Sequence, residues 1–138
     1  MAKRGIREYD AKKILARSLT AYEGLVALMA PDTDAAALAK KRPWLEGSRL
    51  VVKPDQLFGK RGKHGLIAVD KSWDEAQAWI AERMNKEVDV GGIKGKLTHF
   101  LVEPFVEHQA EYYVAMRVEP EGDTVFLSKA GGVNVEEC

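Results

Sequence analysis

Residues 50–69 constrain the fold of this chain more than any other stretch. Leu50, Val51 and Val52 form an apolar run that enters Lys53-Pro54, and residues 65–69 read as a second strand. Between the two lies a loop with Gly59 and Gly62 and four basic side chains, Lys60, Arg61, Lys63 and His64. Immediately afterwards, Ser72 and Glu75 have capping-box spacing, and Trp73, Ala76, Ile80 and Met84 recur along one face. Residues 72–84 therefore read as a helix, with Trp79 widening its apolar stripe.

The rest of the chain extends that pattern. Over residues 8–19, Ala11, Ile14, Leu15 and Leu19 fall at helical spacing while Lys12, Lys13 and Arg17 take the other face. Gly24 breaks this amphipathic helix, and residues 25–29 read as a short buried strand bounded by Pro31. Asp32 or Thr33 is placed to cap an Ala-rich helix over 34–41, which Pro43 closes. Further strands are expected over 88–90, 98–102, 112–118 and 124–127, with Gly91-Gly92 in a turn. Helices alternate with strands early and strands dominate late, which predicts an α/β (α+β) chain with helices on a mixed or antiparallel sheet. No repeat or linker divides residues 1–138, so a single domain without internal boundary is expected, and the final GGVNVEEC, directly after a strand, reads as a domain cut short.

Composition narrows the function classes. Lys plus Arg and Asp plus Glu each number 21, so the basic excess of a general nucleic-acid binder is missing and any anion site must be local. No apolar run is long enough to cross a bilayer, and the charged start MAKRGIREYD lacks the apolar core of an export signal, so a cytoplasmic protein is expected. Cys138 is the only cysteine, which excludes an internal disulfide and a cysteine-based zinc site. His64, His99 and His108 show no metal-ligand spacing, and Ser48, Ser72 and Ser128 have no nucleophile elbow. Trp44, Trp73 and Trp79 suit the core better than a cofactor box.

Two segments could carry chemistry. In LVVKPDQLFGKRGKHGL, residues 50–66, glycines would let main-chain N–H groups approach an anion while Lys53, Lys60, Arg61 and Lys63 neutralise it; by residue type alone a solvated basic hairpin describes it equally well. In FLVEPFVEHQAEYYVAM, residues 100–116, a strand leads through Glu103-Pro104-Phe105-Val106 to Glu111. Such a segment suits a base-binding hinge with a carboxylate for ribose hydroxyls, although a proline turn with two solvated glutamates is the plainer reading.

Taken together, GIREYDAKKIL, RPWL at 42–45, the two segments above and the closing AGGVNVEE resemble, in collinear order over nearly the whole chain, the start of ATP-citrate lyase, close to its plant-type alpha subunit. The resemblance implies an ATP-grasp fold similar to the beta subunit of succinyl-CoA synthetase, which clamps ATP between two α+β lobes. It puts Lys53 on the nucleotide phosphates, Arg61 and Gly62 in the phosphate-covering loop with Lys60 beside them, Glu103, Pro104 and Val106 at the adenine, and Glu111 on the ribose. The family reaction turns citrate, ATP and CoA into acetyl-CoA, oxaloacetate, ADP and phosphate through a phosphorylated histidine. That histidine, the citrate and CoA sites and the magnesium-holding acids belong to other parts of the family's proteins, so no catalytic residue is assigned here. An isolated chain is then expected to be inactive and to work with the remaining domains or subunits, in a hetero-oligomer. Two alternatives stand beside this: a succinyl-CoA synthetase-like ADP-forming enzyme, and a non-catalytic assembly module, which an exposed apolar surface would mark. Glu107 stands where the family often has proline and is expected to face solvent, since a carboxylate turned inward would repel phosphate.

Overall fold

A computed structural model describes residues 4–57, 61 and 64–132. The chain divides into two compact units, Met1–Phe105 and Val106–Cys138.

In the first unit the order is α1 (Glu8–Ser18), β1 (Ala27–Met29), α2 (Ala35–Lys41), α3 (Trp44–Gly47), β2 (Leu50–Pro54), β3 (Ala68–Lys71), α4 (Trp73–Arg83), β4 (Glu87–Val90), β5 (Ile93–Lys96) and β6 (Phe100–Pro104). Four of these strands make an antiparallel sheet in the order β1-β6-β2-β3, so the last strand of the unit is inserted between two earlier ones. Strand alternation decides what each face carries. In β2, Leu50, Val52 and Pro54 are buried, while Val51 and Lys53 point the other way. The buried face meets Trp73, Ala76 and Ile80 of α4, Leu45 of α3, and Leu97, Phe100 and Val102.

Helix α4 is fixed at its start as the sequence predicts: Ser72 Oγ accepts from Glu75 N, and the Glu75 carboxylate accepts from Ser72 N. Trp79 meets Phe100 edge to face, with ring centroids 5.9 Å apart, and Arg83 lies over the Trp79 ring at 4.1 Å. Trp73 is buried, and Trp44 and Trp79 pack against the core. All three tryptophans are thus structural.

Several elements differ from the sequence reading. The cap of α2 is Asp34, whose carboxylate accepts from Ala37 N at 3.0 Å, because Thr33 is already engaged with Ala30 N at 2.9 Å. Pro43 closes α2 but also opens the short α3, being placed where a helix needs no N–H donor. Strand β3 starts at Ala68 and not Gly65: His64 and Gly65 form a turn, Gly65 has a left-handed φ of 66°, and Leu66 N bonds back to Arg61 O at 3.0 Å. Gly91 and Gly92, with φ of 62° and 83°, make the two-residue turn of the β4–β5 hairpin, so the glycine pair signals a second strand that the sequence reading omits.

Helix α1 departs most from expectation. Its apolar residues do fall at helical spacing, yet none is buried among the described residues, and Ile14, Leu15 and Leu19 are about half exposed. Its polar side faces the rest of the unit instead. Gly24 allows the chain to turn back tightly against the helix: its φ is 61°, and a Cβ there would lie 2.5 Å from that of Ala16.

Among its described residues the second unit contains one antiparallel hairpin, β7 (Tyr113–Glu119) with β8 (Gly122–Ser128). Val114 stands opposite Leu127 and Met116 opposite Val125, and all four are more than half exposed.

Candidate functional site

The polar side of α1 and the non-core face of β2 and β6 share one charged cluster. Its arrangement follows from register: Lys53 pairs with Leu101 and Val51 with Glu103, which makes Lys53 and Glu103 diagonal neighbours on one face. The Lys53 ammonium bridges Glu103 Oε1 at 2.8 Å and Glu8 Oε1 at 2.7 Å. Lys12, one turn along α1 from Glu8, contacts the same two carboxylates, reaching Glu8 Oε1 at 2.9 Å. Arg61 completes the group, donating to Glu8 Oε2 at 2.7 Å and to the Pro54 carbonyl at 2.6 Å. Each of these side chains is only about a fifth exposed, with values from 16% to 23%.

What brings α1 to this place is a buried carboxylate. Asp55 is fully buried at the end of β2 and accepts from the main-chain N–H groups of Glu8 at 2.9 Å and Tyr9 at 3.3 Å. Arg7, at the N-cap of α1, provides no side-chain cap, so an acid 47 residues away satisfies donors that the helix leaves open. Asp55 thereby fixes the first turn of α1, which carries Glu8 and is followed by Lys12.

Among the described residues, five ionised side chains are in direct contact, and three of them are cations. Burial would raise the Glu8 pKa, but Lys53 and then Lys12 outweigh it and hold the carboxyl at about 2. Burial likewise works against the Lys12 ammonium, while Glu103 and Glu8 raise its pKa overall. The Glu8 contribution to stability is therefore present above its ordinary pKa of 4.5 and is lost as pH falls through about 2. Acid unfolding of Glu8→Gln should lack the portion of the wild-type loss that falls in that window, as circular dichroism across the titration would show.

The sequence-selected residues fall as follows. Lys53 and Arg61 share the cluster, joined through Glu8. Glu103 contributes its carboxylate to the same group. Its main-chain groups are directed towards β2, because Phe105 N bonds Arg49 O and Asp55 N bonds His99 O on either side in the alternating ladder. Those of Pro104 are directed away from β2, beyond Val102, the last β6 residue paired with β1. Lys60 and Gly62 lie outside the described residues. Val106 and Glu111 belong to the second unit; Val106 is exposed, and Glu111 Oε1 lies 3.0 Å from His108 Nε2. Glu107 is exposed, as expected. Sequence reasoning missed Glu8, Lys12 and Asp55. The Glu8-Lys12 spacing of four was a readable helix ion pair, but its other partners depend on register and helix docking.

This α/β fold with its antiparallel sheet and cation cluster is an ATP-grasp fold in part. The chain belongs to the ATP-citrate synthase family: the model of the ATP-citrate synthase ATP-grasp domain matches residues 2–138. It is 43% identical over 142 residues to ATP-citrate synthase subunit alpha chain protein 1 of Oryza sativa subsp. japonica, covering 99% of this chain and 35% of that one. To the ATP-citrate synthase of Mus musculus it is 40% identical, covering 98% of this chain and 13% of that protein. Among solved structures, ATP citrate lyase from Methanothrix soehngenii, in complex with citrate and coenzyme A, superposes with a TM-score of 0.88 at 49% identity, covering 97% of this chain and 34% of that chain. The chain thus spans about a third of the length of its plant relatives.

Proposed function

We propose that this chain supplies the phosphate-gripping part of the nucleotide site of an ATP-citrate lyase, an acyltransferase that converts citrate, ATP and CoA to acetyl-CoA, oxaloacetate, ADP and phosphate. The observation that carries the reading is the convergence of Lys53, Arg61 and Lys12 on one partly buried patch. A phosphate arriving there exchanges for Glu8 on Lys53 and Arg61, taking over hydrogen bonds from a competitor that is ionised at neutral pH. Ammonium and guanidinium groups held in this way stabilise charge on a transferring phosphoryl group without moving during the reaction.

ATP fits these residues. For magnesium, no three His, Cys, Asp or Glu side chains gather into a metal site among the described residues, and the ion enters only as the companion of the nucleotide. The base contacts of Glu103, Pro104 and Val106, the ribose contact of Glu111, the loop roles of Lys60 and Gly62 and a cytoplasmic setting belong to the same proposal. They rest on the family likeness.

Assembly with further domains or subunits has its own support. A two-stranded hairpin is marginal in water, and β7–β8 presents Val114, Met116, Val118, Val125 and Leu127 to solvent. We assign its cover to the remaining part of the lyase. The substrate is tested by following ADP release from the complete enzyme with CoA and either citrate or succinate. Citrate-dependent turnover with no response to succinate is expected; the reverse would move the chain to the succinyl-CoA synthetase-like alternative.

A further inference from the structure

In the second unit, His108 connects two residues that the nucleotide reading uses separately. Its Nδ1 lies 2.8 Å from the Val106 carbonyl oxygen and its Nε2 lies 3.0 Å from Glu111 Oε1. A carbonyl and an ionised carboxylate only accept hydrogen bonds, so both ring nitrogens must donate, and only the imidazolium donates from both. The Val106 carbonyl first, and Glu111 after it, raise the His108 pKa above its ordinary value.

The remainder of Glu111 is held by the segment after β8. Gly131 N donates to the Glu111 carbonyl at 2.9 Å, and a Cβ at Gly131 would come within 2.7 Å of the Tyr112 main chain. At Gly132 the φ of 92° favours glycine, and a Cβ there would overlap Glu111 Oε2, so a side chain at this position would displace the carboxylate. An open cavity of about 440 Å3 is bounded by His108 and Glu111 together with Lys129 and Gly131. Among the described residues, the charged groups around the ring are Glu111 and, on the cavity wall, Lys129; Glu107 beside it is exposed.

We propose that His108 is the positioning residue for Glu111: it ties the carboxylate to the Val106 main chain, and so sets the preference for ligands carrying the vicinal hydroxyl pair of a ribose. The inference rests on the nucleotide reading above. Glutamate held by a charged donor has little rotamer freedom left to lose when a ligand binds, whereas a freely rotating one has to be ordered at that moment. His108 touches no ligand hydroxyl in this scheme and acts through Glu111.

The test compares binding of ATP and of 2′,3′-dideoxy-ATP to the complete enzyme, for the wild type, His108→Ala, His108→Gln and Glu111→Gln. His108→Ala should weaken ATP roughly 3- to 10-fold, as expected for a side chain that has to be ordered on binding, and leave the dideoxy analogue unchanged. Wild-type preference for ATP should fall as pH rises through the ionisation of His108. His108→Gln, which keeps a neutral donor, should retain part of that preference without its pH dependence, and Glu111→Gln should abolish most of it.

Equal loss for both nucleotides, or none, in His108→Ala overturns the assignment. Should that variant fail to fold, the wild-type pH profile and His108→Gln decide the matter, and a preference that is flat with pH counts against His108. Lys53→Ala separates this inference from the reading beneath it. If Lys53→Ala weakens both nucleotides while His108→Ala leaves their ratio intact, only His108 is removed. If Lys53→Ala affects neither, the nucleotide reading fails and His108 with it.

Discussion

Asp55→Ala is expected to lower the stability of the first unit by about 1–3 kcal/mol, the usual cost of leaving buried polar partners unsatisfied. Two donors lose their acceptor together, the N–H groups of Glu8 and Tyr9 at the first turn of α1. The loss has more reach than an ordinary cap, because no side chain of α1 is buried and its own N-cap residue offers no substitute. What then holds the helix is the set of ion pairs of Glu8 and Lys12, and these depend on the same turn. Urea unfolding should therefore show a lower midpoint for Asp55→Ala, with Asp55→Asn between the two. The asparagine keeps one acceptor oxygen but sets an amide N–H where Tyr9 needs an acceptor. A midpoint for Asp55→Ala equal to that of the wild type would mean that the ion pairs alone dock α1.

How far the sequence revealed this architecture depends on the range of the interaction concerned. Helix α4 was legible to its cap, because the capping box of Ser72 and Glu75 and the apolar repeat are complete within a dozen residues. The placement of Lys53 on the non-core side of β2 was implicit in strand alternation, since Leu50 and Val52 had to face the core. Its partners were not. Glu103 reaches Lys53 only because β6 is inserted between β1 and β2 in one particular register, a pairing that no local pattern specifies. The cap of α1 was invisible for the same reason: capping rules look a few residues upstream, and Asp55 arrives from 47 residues downstream. Helical periodicity in α1 does mark a helix, but the rule that the apolar stripe faces inward does not hold there, because charge pairing docks the opposite side. Residue type and glycine spacing already mark Lys53 and Arg61 as anion-neutralising candidates, the resemblance assigns them to nucleotide phosphates, and the geometry adds Glu8 as the group that connects them.

Lys53→Ala is expected to weaken ATP binding by about 1–3 kcal/mol, the range for losing a charge-assisted hydrogen bond. Its side chain is 16% exposed and its ammonium lies between two carboxylates, so its removal changes the balance of the cluster, among the described residues, from three cations against two acids to two against two. Glu8 and Glu103 then take up the donors of Lys12 and Arg61 more fully, and a phosphate has to compete harder for what is left. The control is Lys40→Ala, an exposed lysine on α2 whose removal alters the net charge equally. Salt adds a second discrimination. At about 0.1 M salt, exposed charges more than about 10 Å apart are largely screened and partly buried contacts much less, so the Lys53→Ala effect should persist at high ionic strength while any Lys40→Ala effect vanishes. Calorimetric titration of the complete enzyme with Mg-ATP, at low and high salt, measures both. An equal loss in the two variants would assign the effect to long-range charge and remove the contact between Lys53 and phosphate. A loss confined to Lys53→Ala would locate the phosphate at the end of β2, where alternation, register and the Asp55-anchored helix jointly place the cation.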